Sequence, residues 1–168
     1  DLKTFSAFGV FGMSVSTAIT AQNTLGVQAV HAVPLAVISA QLESVMSDIG
    51  ADAAKTGMLG TAEVVELVAS QVRRLGVPNL VVDPVMVAKS GDVLLSADAR
   101  DAVRNALLPA ATVVTPNLPE AGVLVGHAVR DIAEMRDAAR ELHGLGVGWV
   151  VVKGGHLPEH EDAVDLVF

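Results

Sequence analysis

Leu80-Val81-Val82-Asp83-Pro84-Val85 decides the fold. Three consecutive apolar residues with no polar alternation suit a strand covered on both faces, as the strands of parallel sheets are. An aspartate and a proline then stop the run. The pattern recurs downstream: Thr112-Val113-Val114-Thr115 closes on Pro116-Asn117-Leu118-Pro119-Glu120, and Trp149-Val150-Val151-Val152-Lys153 closes on Gly154-Gly155-His156. Upstream, Ala53-Ala54-Lys55-Thr56-Gly57 is a shorter strand candidate. Helical segments fill the intervals. Thr61 caps a helix whose Val64, Val65, Val68, Val72 and Leu75 share a face until Gly76 ends it, and Ser96 to Leu107 forms a second capped helix. A short helix follows Pro119, and Asp131 with Glu134 starts another, lined by Ile132, Met135, Ala139 and Leu142 and stopping near Gly144. Strand, loop, helix is the repeating unit. It predicts an α/β fold with a doubly wound, mostly parallel sheet and helices on both faces.

Outside that region the signals are shorter. Asp1 to Phe8 predicts a short helix closed by Gly9, and Met13 to Ala21, rich in Val, Thr and Ile, predicts a buried strand. Gly26 to Val33 adds an edge strand or a flap, and Leu35, Ile38, Leu42, Val45, Met46 and Ile49 follow a helical stripe to Gly50. Asp162 to Phe168 is a further strand candidate. With no repeat, low-complexity tract or long linker, residues 1–168 are expected to form a single domain.

Composition narrows the function. The chain is 51% apolar and 18% charged with mean hydropathy +0.51, which excludes disorder and fits a sheet buried on both faces. A net charge of −8 argues against nucleic acid as a partner, because counterion release needs clustered Lys and Arg. Thr4 to Leu42 carries no Asp, Glu, Lys or Arg, yet Gly9, Gly12, Gln22, Asn23, Gly26 and Pro34 break it into pieces too polar to span lipid. A membrane role is therefore not expected. Without cysteine there is neither a disulfide nor a thiolate metal site, and a cytoplasmic location is expected. The chain starts at Asp1 rather than Met, and Leu2-Lys3-Thr4 lacks the organisation of a signal peptide, so upstream residues are expected to be missing.

In open α/β sheets ligands bind beyond the carboxyl ends of the strands. Five of the candidate strands end in Gln22-Asn23, Lys55-Thr56-Gly57-Met58, Asp83-Pro84-Val85, Thr115-Pro116-Asn117 running on to Glu120, and Lys153-Gly154-Gly155-His156. Polar and glycine-rich endings on one edge point to a single extended site. The residue types suit phosphoryl transfer, which needs a cation clamp, oxygen ligands near Mg²⁺ and close backbone approach. Lys153 with Gly154 and Gly155 supplies charge and accessible amides, while Asp83, Asn117 and Glu120 order the metal and its waters. The other reading of Lys153-Gly154-Gly155 is a plain strand-ending turn. Met13, Met46, Met58, Met86 and Met135 read mostly as gap-filling core residues; Met58 and Met86 lie at strand ends, where an apolar pocket beside a flat ring is the other reading, favoured for Met58.

Other motifs fail. Lys89-Ser90 lacks the glycines of a P-loop, and Gly144, Gly146 and Gly148 follow a helix rather than a strand, the reverse of a dinucleotide fingerprint. His156 and His160 have a zinc-like spacing beside Glu161, but Pro158 between them favours a solvated loop. His31, His127 and His143 have no visible partners, and Ser6, Ser14 and Ser16 lack a nucleophile elbow.

Six strings in order, Asp1-Leu2-Lys3-Thr4-Phe5-Ser6-Ala7, Thr20-Ala21-Gln22-Asn23-Thr24, Lys55-Thr56-Gly57-Met58-Leu59, Asp83-Pro84-Val85-Met86-Val87-Ala88-Lys89-Ser90-Gly91, Thr115-Pro116-Asn117-Leu118-Pro119-Glu120-Ala121 and Val152-Lys153-Gly154-Gly155-His156, resemble hydroxymethylpyrimidine/phosphomethylpyrimidine kinase. The Asn-x-x-Glu element alone indicates only the broader ribokinase-like superfamily. The resemblance implies an ATP-dependent, Mg²⁺-requiring kinase of thiamine biosynthesis. It would phosphorylate 4-amino-5-hydroxymethyl-2-methylpyrimidine and then its monophosphate. By position, Asp1 and Gln22 would contact the pyrimidine, with Met58 and Val85 against its ring. Asp83, Thr115, Asn117, Lys153 and Gly154 would serve ATP, with Asn117 and Glu120 near Mg²⁺. A homodimer is usual for the resemblance.

The chain departs from the family in lacking its later Gly-Thr-Gly segment, which carries the anion hole and catalytic base, so these are expected beyond Phe168. The glycine-rich strand expected before Asp1 is also missing, so the fold is expected to be the central portion of a ribokinase-like domain, incomplete at both ends and without useful turnover alone. Pyridoxal kinase is the nearest rival, since another flat heteroaromatic alcohol would suit a similar pocket. A non-catalytic pyrimidine-binding protein is the rival of a different class, distinguished by tight pyrimidine binding without ATP binding or turnover.

Overall fold

The computed structural model describes residues 1–86, 95–155, 157 and 163–168. In chain order the described elements begin with helix α1 (Leu2–Ala7), strands β1 (Ala18–Asn23) and β2 (Gly26–Ala32), helix α2 (Leu35–Asp48), strand β3 (Ala54–Thr56) and helix α3 (Ala62–Leu75). They continue with strand β4 (Leu80–Val82), helix α4 (Ala97–Ala102), strand β5 (Val113–Val114), helices α5 (Leu118–Val125) and α6 (Ile132–His143), and strands β6 (Trp149–Val152) and β7 (Leu166–Val167). β3, β4, β5 and β6 lie side by side in parallel, and β7 closes the sheet antiparallel to β6. The result is the mostly parallel sheet flanked by helices that the alternation predicts.

Unbroken apolar runs become central strands because nothing in them needs water. Thr56, Val82, Val114 and Val150 stand in register across the sheet, and the three valines are at most 1% exposed. Each buried valine contributes about 1.5–3 kcal/mol. α3 shows how the helices are made to fit. The Thr61 hydroxyl accepts from the Val64 amide at 3.4 Å, Glu63 sits in the first turn, and Arg73 and Arg74 sit in the last, matching the helix dipole. Gly76 ends the helix at φ +63°, a left-handed conformation that glycine adopts without a Cβ penalty. Between these signals Val64, Val65, Val68, Ala69 and Val72 are buried.

The α6 cap is as its sequence predicts: the Asp131 carboxylate accepts from the Glu134 amide at 2.8 Å, and Glu134 accepts from the Arg130 amide at 2.6 Å. Replacing Asp131 with Ala is expected to cost about 1 kcal/mol, the usual worth of such a cap, read as a lower urea midpoint with unchanged slope.

Four expectations are corrected. Met13 to Ala21 is not a buried strand of the main sheet: the strand starts at Ala18 and pairs with β2 in a separate antiparallel hairpin. Ile19 and Val30 on it are 62% and 52% exposed, because lack of charge does not guarantee burial once a hairpin has satisfied its own backbone. In α2 only Ile38 is buried and Leu42 packs partly on the core, whereas Leu35 and Ile49 of the expected stripe are exposed. The helix expected from Ser96 to Leu107 is α-helical only to Ala102, then becomes a π turn over Val103–Leu107 and a 3₁₀ turn over Leu108–Ala110, where Pro109 cannot donate to the ladder. His127 does have a partner, Glu141, at 3.1 Å, and the His143 ring lies edge-on to Phe168 at 5.3 Å. None of the helices described is long and apolar enough to cross a membrane.

Candidate active site

Because β3 to β6 are parallel, their carboxyl ends emerge on one edge. Backbone hydrogen bonds carry the register past the strands: the Asp83 amide donates to the Thr56 carbonyl at 3.3 Å, Thr115 to Val82 at 3.0 Å, and Lys153 to Pro116 at 2.8 Å. Asn117 and Lys153 then form a last parallel bridge. Residues far apart in sequence are thereby set beside one another on a rigid edge.

Their side chains form a chain of alternating charge. Lys153 Nζ lies 3.2 Å from Asp83 Oδ1, and Lys55 Nζ lies 3.2 Å from Asp83 Oδ2 and 3.0 Å from Asp1 Oδ2. Asp83 is the most enclosed member, its side chain 21% exposed. Solvated ion pairs of this kind add only about 0–1 kcal/mol each to stability. Their concentration on one edge therefore does little for folding and leaves ammonium groups ready for an anionic ligand.

Asn117 and Glu120 arise from local sequence. Asn117 caps α5 with Pro119 in the first turn; its side chain accepts from the Glu120 amide at 2.9 Å, and Glu120 Oε2 accepts from the Asn117 amide at 2.9 Å. Glu120 is only 7% exposed. Burial raises its pKa above the ordinary 4.5, opposed by the Asn117 amide and by Lys153, reinforced by Asp83 and opposed again by the Met86 amide. With the folded value above the unfolded one, Glu120 contributes most stability below pH 4.5 and loses it as pH rises through the folded value. Glu120→Gln keeps an acceptor for the Asn117 amide and removes that titration. Its stability relative to wild type is expected to increase between about pH 4 and pH 7, measured by chemical denaturation across that range.

Gly154 serves differently from expectation. Its amide donates to Asp165 Oδ1 at 3.0 Å, so the free amide that the sequence suggests is engaged in this structure. A Cβ at this position would sit 1.9 Å from the Val164 carbonyl oxygen, so close packing requires the glycine. Among the described residues nothing lies within 4 Å of a Cβ built on Gly155.

Met58 and Val85 are half-buried at the same edge. The Thr17 hydroxyl donates to the Met58 carbonyl at 2.8 Å, tying the root of the hairpin to the end of β3. Gln22 is on the exposed hairpin itself, at its bulge, and no side-chain hydrogen bond joins it to the charged chain among the described residues. Beneath the edge, Thr56, Asp83 and Val85 line a void of about 10 Å³, and the Thr56 hydroxyl is buried without a hydrogen-bond partner among the described residues.

The structure thus brings Asp1, Asp83 and Lys153 into one connected cluster with Asn117 and Glu120 alongside, Thr115 held by its backbone, and Gln22 standing apart. Lys55, which the sequence places among the polar strand endings without a role, and Asp165 are the residues whose part sequence reasoning missed. Their partners, Asp1 and Asp83 for Lys55 and the Gly154 amide for Asp165, lie 11 or more residues away, where no local pattern marks them. Val87 to Gly91, His156, Pro158, His160 and Glu161 lie outside the described residues. Among the described residues no cluster of three or more His, Cys, Asp or Glu forms a metal cage. Mg²⁺ needs none when it is carried on phosphates and keeps its waters.

The family model for phosphomethylpyrimidine kinase matches residues 1–168. The hydroxymethylpyrimidine/phosphomethylpyrimidine kinase of Mycobacterium tuberculosis is 48% identical over 170 residues, covering 100% of this chain and 62% of its own length. The chain therefore spans about three fifths of that curated relative. The crystal structure of phosphomethylpyrimidine kinase from Clostridium difficile superimposes with a TM-score of 0.91 at 42% identity, covering 99% of this chain and 71% of the other. Pyridoxal kinase from Staphylococcus aureus in complex with pyridoxal gives 0.89 at 38% identity, covering 99% and 61%.

Proposed function

The chain belongs to the phosphomethylpyrimidine kinase family, and on that premise we propose that the full-length protein phosphorylates 4-amino-5-hydroxymethyl-2-methylpyrimidine and then its monophosphate, with MgATP as donor. The single observation that carries the assignment beyond membership is the edge cluster in which Asp83 is held between Lys55 and Lys153 next to Asn117 and Glu120. Phosphoryl transfer asks mainly for positioning and charge stabilisation, and these are the groups for it.

In this proposal Asp1, Met58 and Val85 hold the flat ring, and Gln22 reaches it from the hairpin. Lys153 exchanges part of its contact with Asp83 for phosphate oxygens of ATP. Asp83 keeps the lysines oriented, and Thr115 and Gly154 border the nucleotide. Mg²⁺ suits this edge because a nearby divalent cation offsets the burial that disfavours ionised Glu120, so Asn117 and Glu120 would order its waters. When bound, the metal neutralises charge on the transferring phosphates.

The test is steady-state kinetics of the full-length protein with MgATP on the pyrimidine alcohol and on pyridoxal in parallel, with products identified by mass. Formation of the pyrimidine mono- and diphosphates with the higher kcat/KM is the expected result. A clear preference for pyridoxal would transfer the assignment to the kinase class that the Staphylococcus neighbour represents. Tight pyrimidine binding by calorimetry with no MgATP binding and no turnover would replace it with a non-catalytic binding protein.

A further inference from the structure

Lys55 joins the two halves of the edge cluster: its ammonium lies 3.0 Å from Asp1 Oδ2 and 3.2 Å from Asp83 Oδ2. We infer that Lys55 is a positioning residue that holds the ring-side carboxylate of Asp1 and the phosphate-side carboxylate of Asp83 in one geometry, coupling pyrimidine binding to turnover. The inference rests on the kinase reading above.

Asp1 stands at the N-cap of α1, where its side chain makes no capping bond and instead meets Lys55. Lys55 by contrast belongs to the sheet, paired with Val81 of β4 and followed by the buried Thr56. A cation rooted in the sheet can therefore impose the sheet's rigidity on the Asp1 carboxylate. Asp83 is constrained from both sides, Lys55 on Oδ2 and Lys153 on Oδ1, so loss of Lys55 frees its carboxylate to turn towards Lys153. The worth of such exposed pairs to stability is small, so the effect belongs in binding and turnover rather than in folding.

A double-mutant cycle on the full-length protein tests the coupling. Wild type, Lys55→Met, Lys55→Arg, Asp1→Asn and Asp1→Asn/Lys55→Met are compared by kcat, by KM for the pyrimidine alcohol and for MgATP, by calorimetric pyrimidine affinity and by melting temperature. Lys55→Met is expected to raise the pyrimidine KM about tenfold and lower kcat about tenfold, each equivalent to one lost interaction of about 1.4 kcal/mol. Added to Asp1→Asn, it is expected to raise the pyrimidine KM by less than about twofold, because the partner is already gone. Lys55→Arg restores most of both constants, with melting temperatures unchanged across the set. Additive effects on KM overturn the role, as do wild-type kinetics in Lys55→Met, or equal losses in Met and Arg variants with lowered melting temperature. A wild type that neither binds nor phosphorylates the pyrimidine overturns the kinase reading and this role with it, whereas an active wild type with an additive cycle removes Lys55 alone.

Discussion

Asp83→Asn is expected to lower kcat/KM for the full-length protein about 100- to 1,000-fold, the range typical of removing one preorganised electrostatic group from an active site. Both oxygens of the Asp83 carboxylate are occupied by ammonium groups, at 3.2 Å each. An amide has one acceptor atom and carries no charge, so one lysine loses its partner and the amide NH₂ is turned towards a cation. Lys55 and Lys153 are then no longer oriented together. The consequence for folding is small, since the lysine side chains are 27% and 41% exposed and can take up water. Kinetics combined with thermal melts separate the two effects. Retention of activity within about threefold would remove Asp83 from the working site, because a charge clamp in contact with the reaction cannot be dispensed with so cheaply.

Gly154→Ala is expected to produce the largest stability loss. The added Cβ would lie 1.9 Å from the Val164 carbonyl oxygen, a backbone atom that cannot rotate away, with Leu157 Cδ1 at 3.1 Å on another side. Relief requires the loop after β6 to separate from the segment leading into β7, breaking the 3.0 Å bond from the Gly154 amide to Asp165. A loss of about 3 kcal/mol or more follows from forced overpacking together with a broken charged hydrogen bond. For a chain of this size that corresponds to a fall in Tm of roughly 6–12 °C. Gly155→Ala is the internal control: its Cβ meets nothing within 4 Å among the described residues, and the melting temperature should barely move. Similar melting temperatures for the two variants would show that the Gly154 contact is not close enough to matter.

The parts legible in the sequence were those with local causes. The strands after Val77, Ala111 and Val147 are short apolar runs with abrupt polar or glycine endings, and α3 and α6 carry their stop and start signals within a few residues of their ends. The Asn117–Glu120 box is likewise a three-residue relation. The hairpin misled because Met13 to Ala21 has the composition of a buried strand, and composition does not state which sheet a strand joins. Pairing with a neighbour a few residues away won over insertion beside β3. The π turn after α4 was hidden for a related reason, since the apolar spacing of Val103 and Leu107 suits an α-helix equally well.

By itself, then, the sequence determined the parallel α/β class, most element positions, the family, and the edge on which polar residues gather, because strand runs and helix caps are short-range physics repeated along the chain. Tertiary structure alone decided that Asp1 meets Lys55 across 54 residues and Asp83 meets Lys153 across 70, that Glu120 is buried enough to hold its proton more tightly, and that Gly154 touches Val164. Charge pairing and steric contact depend on distance in space, and parallel strands joined through helices bring distant residues to the same edge while leaving no mark of it in their neighbours.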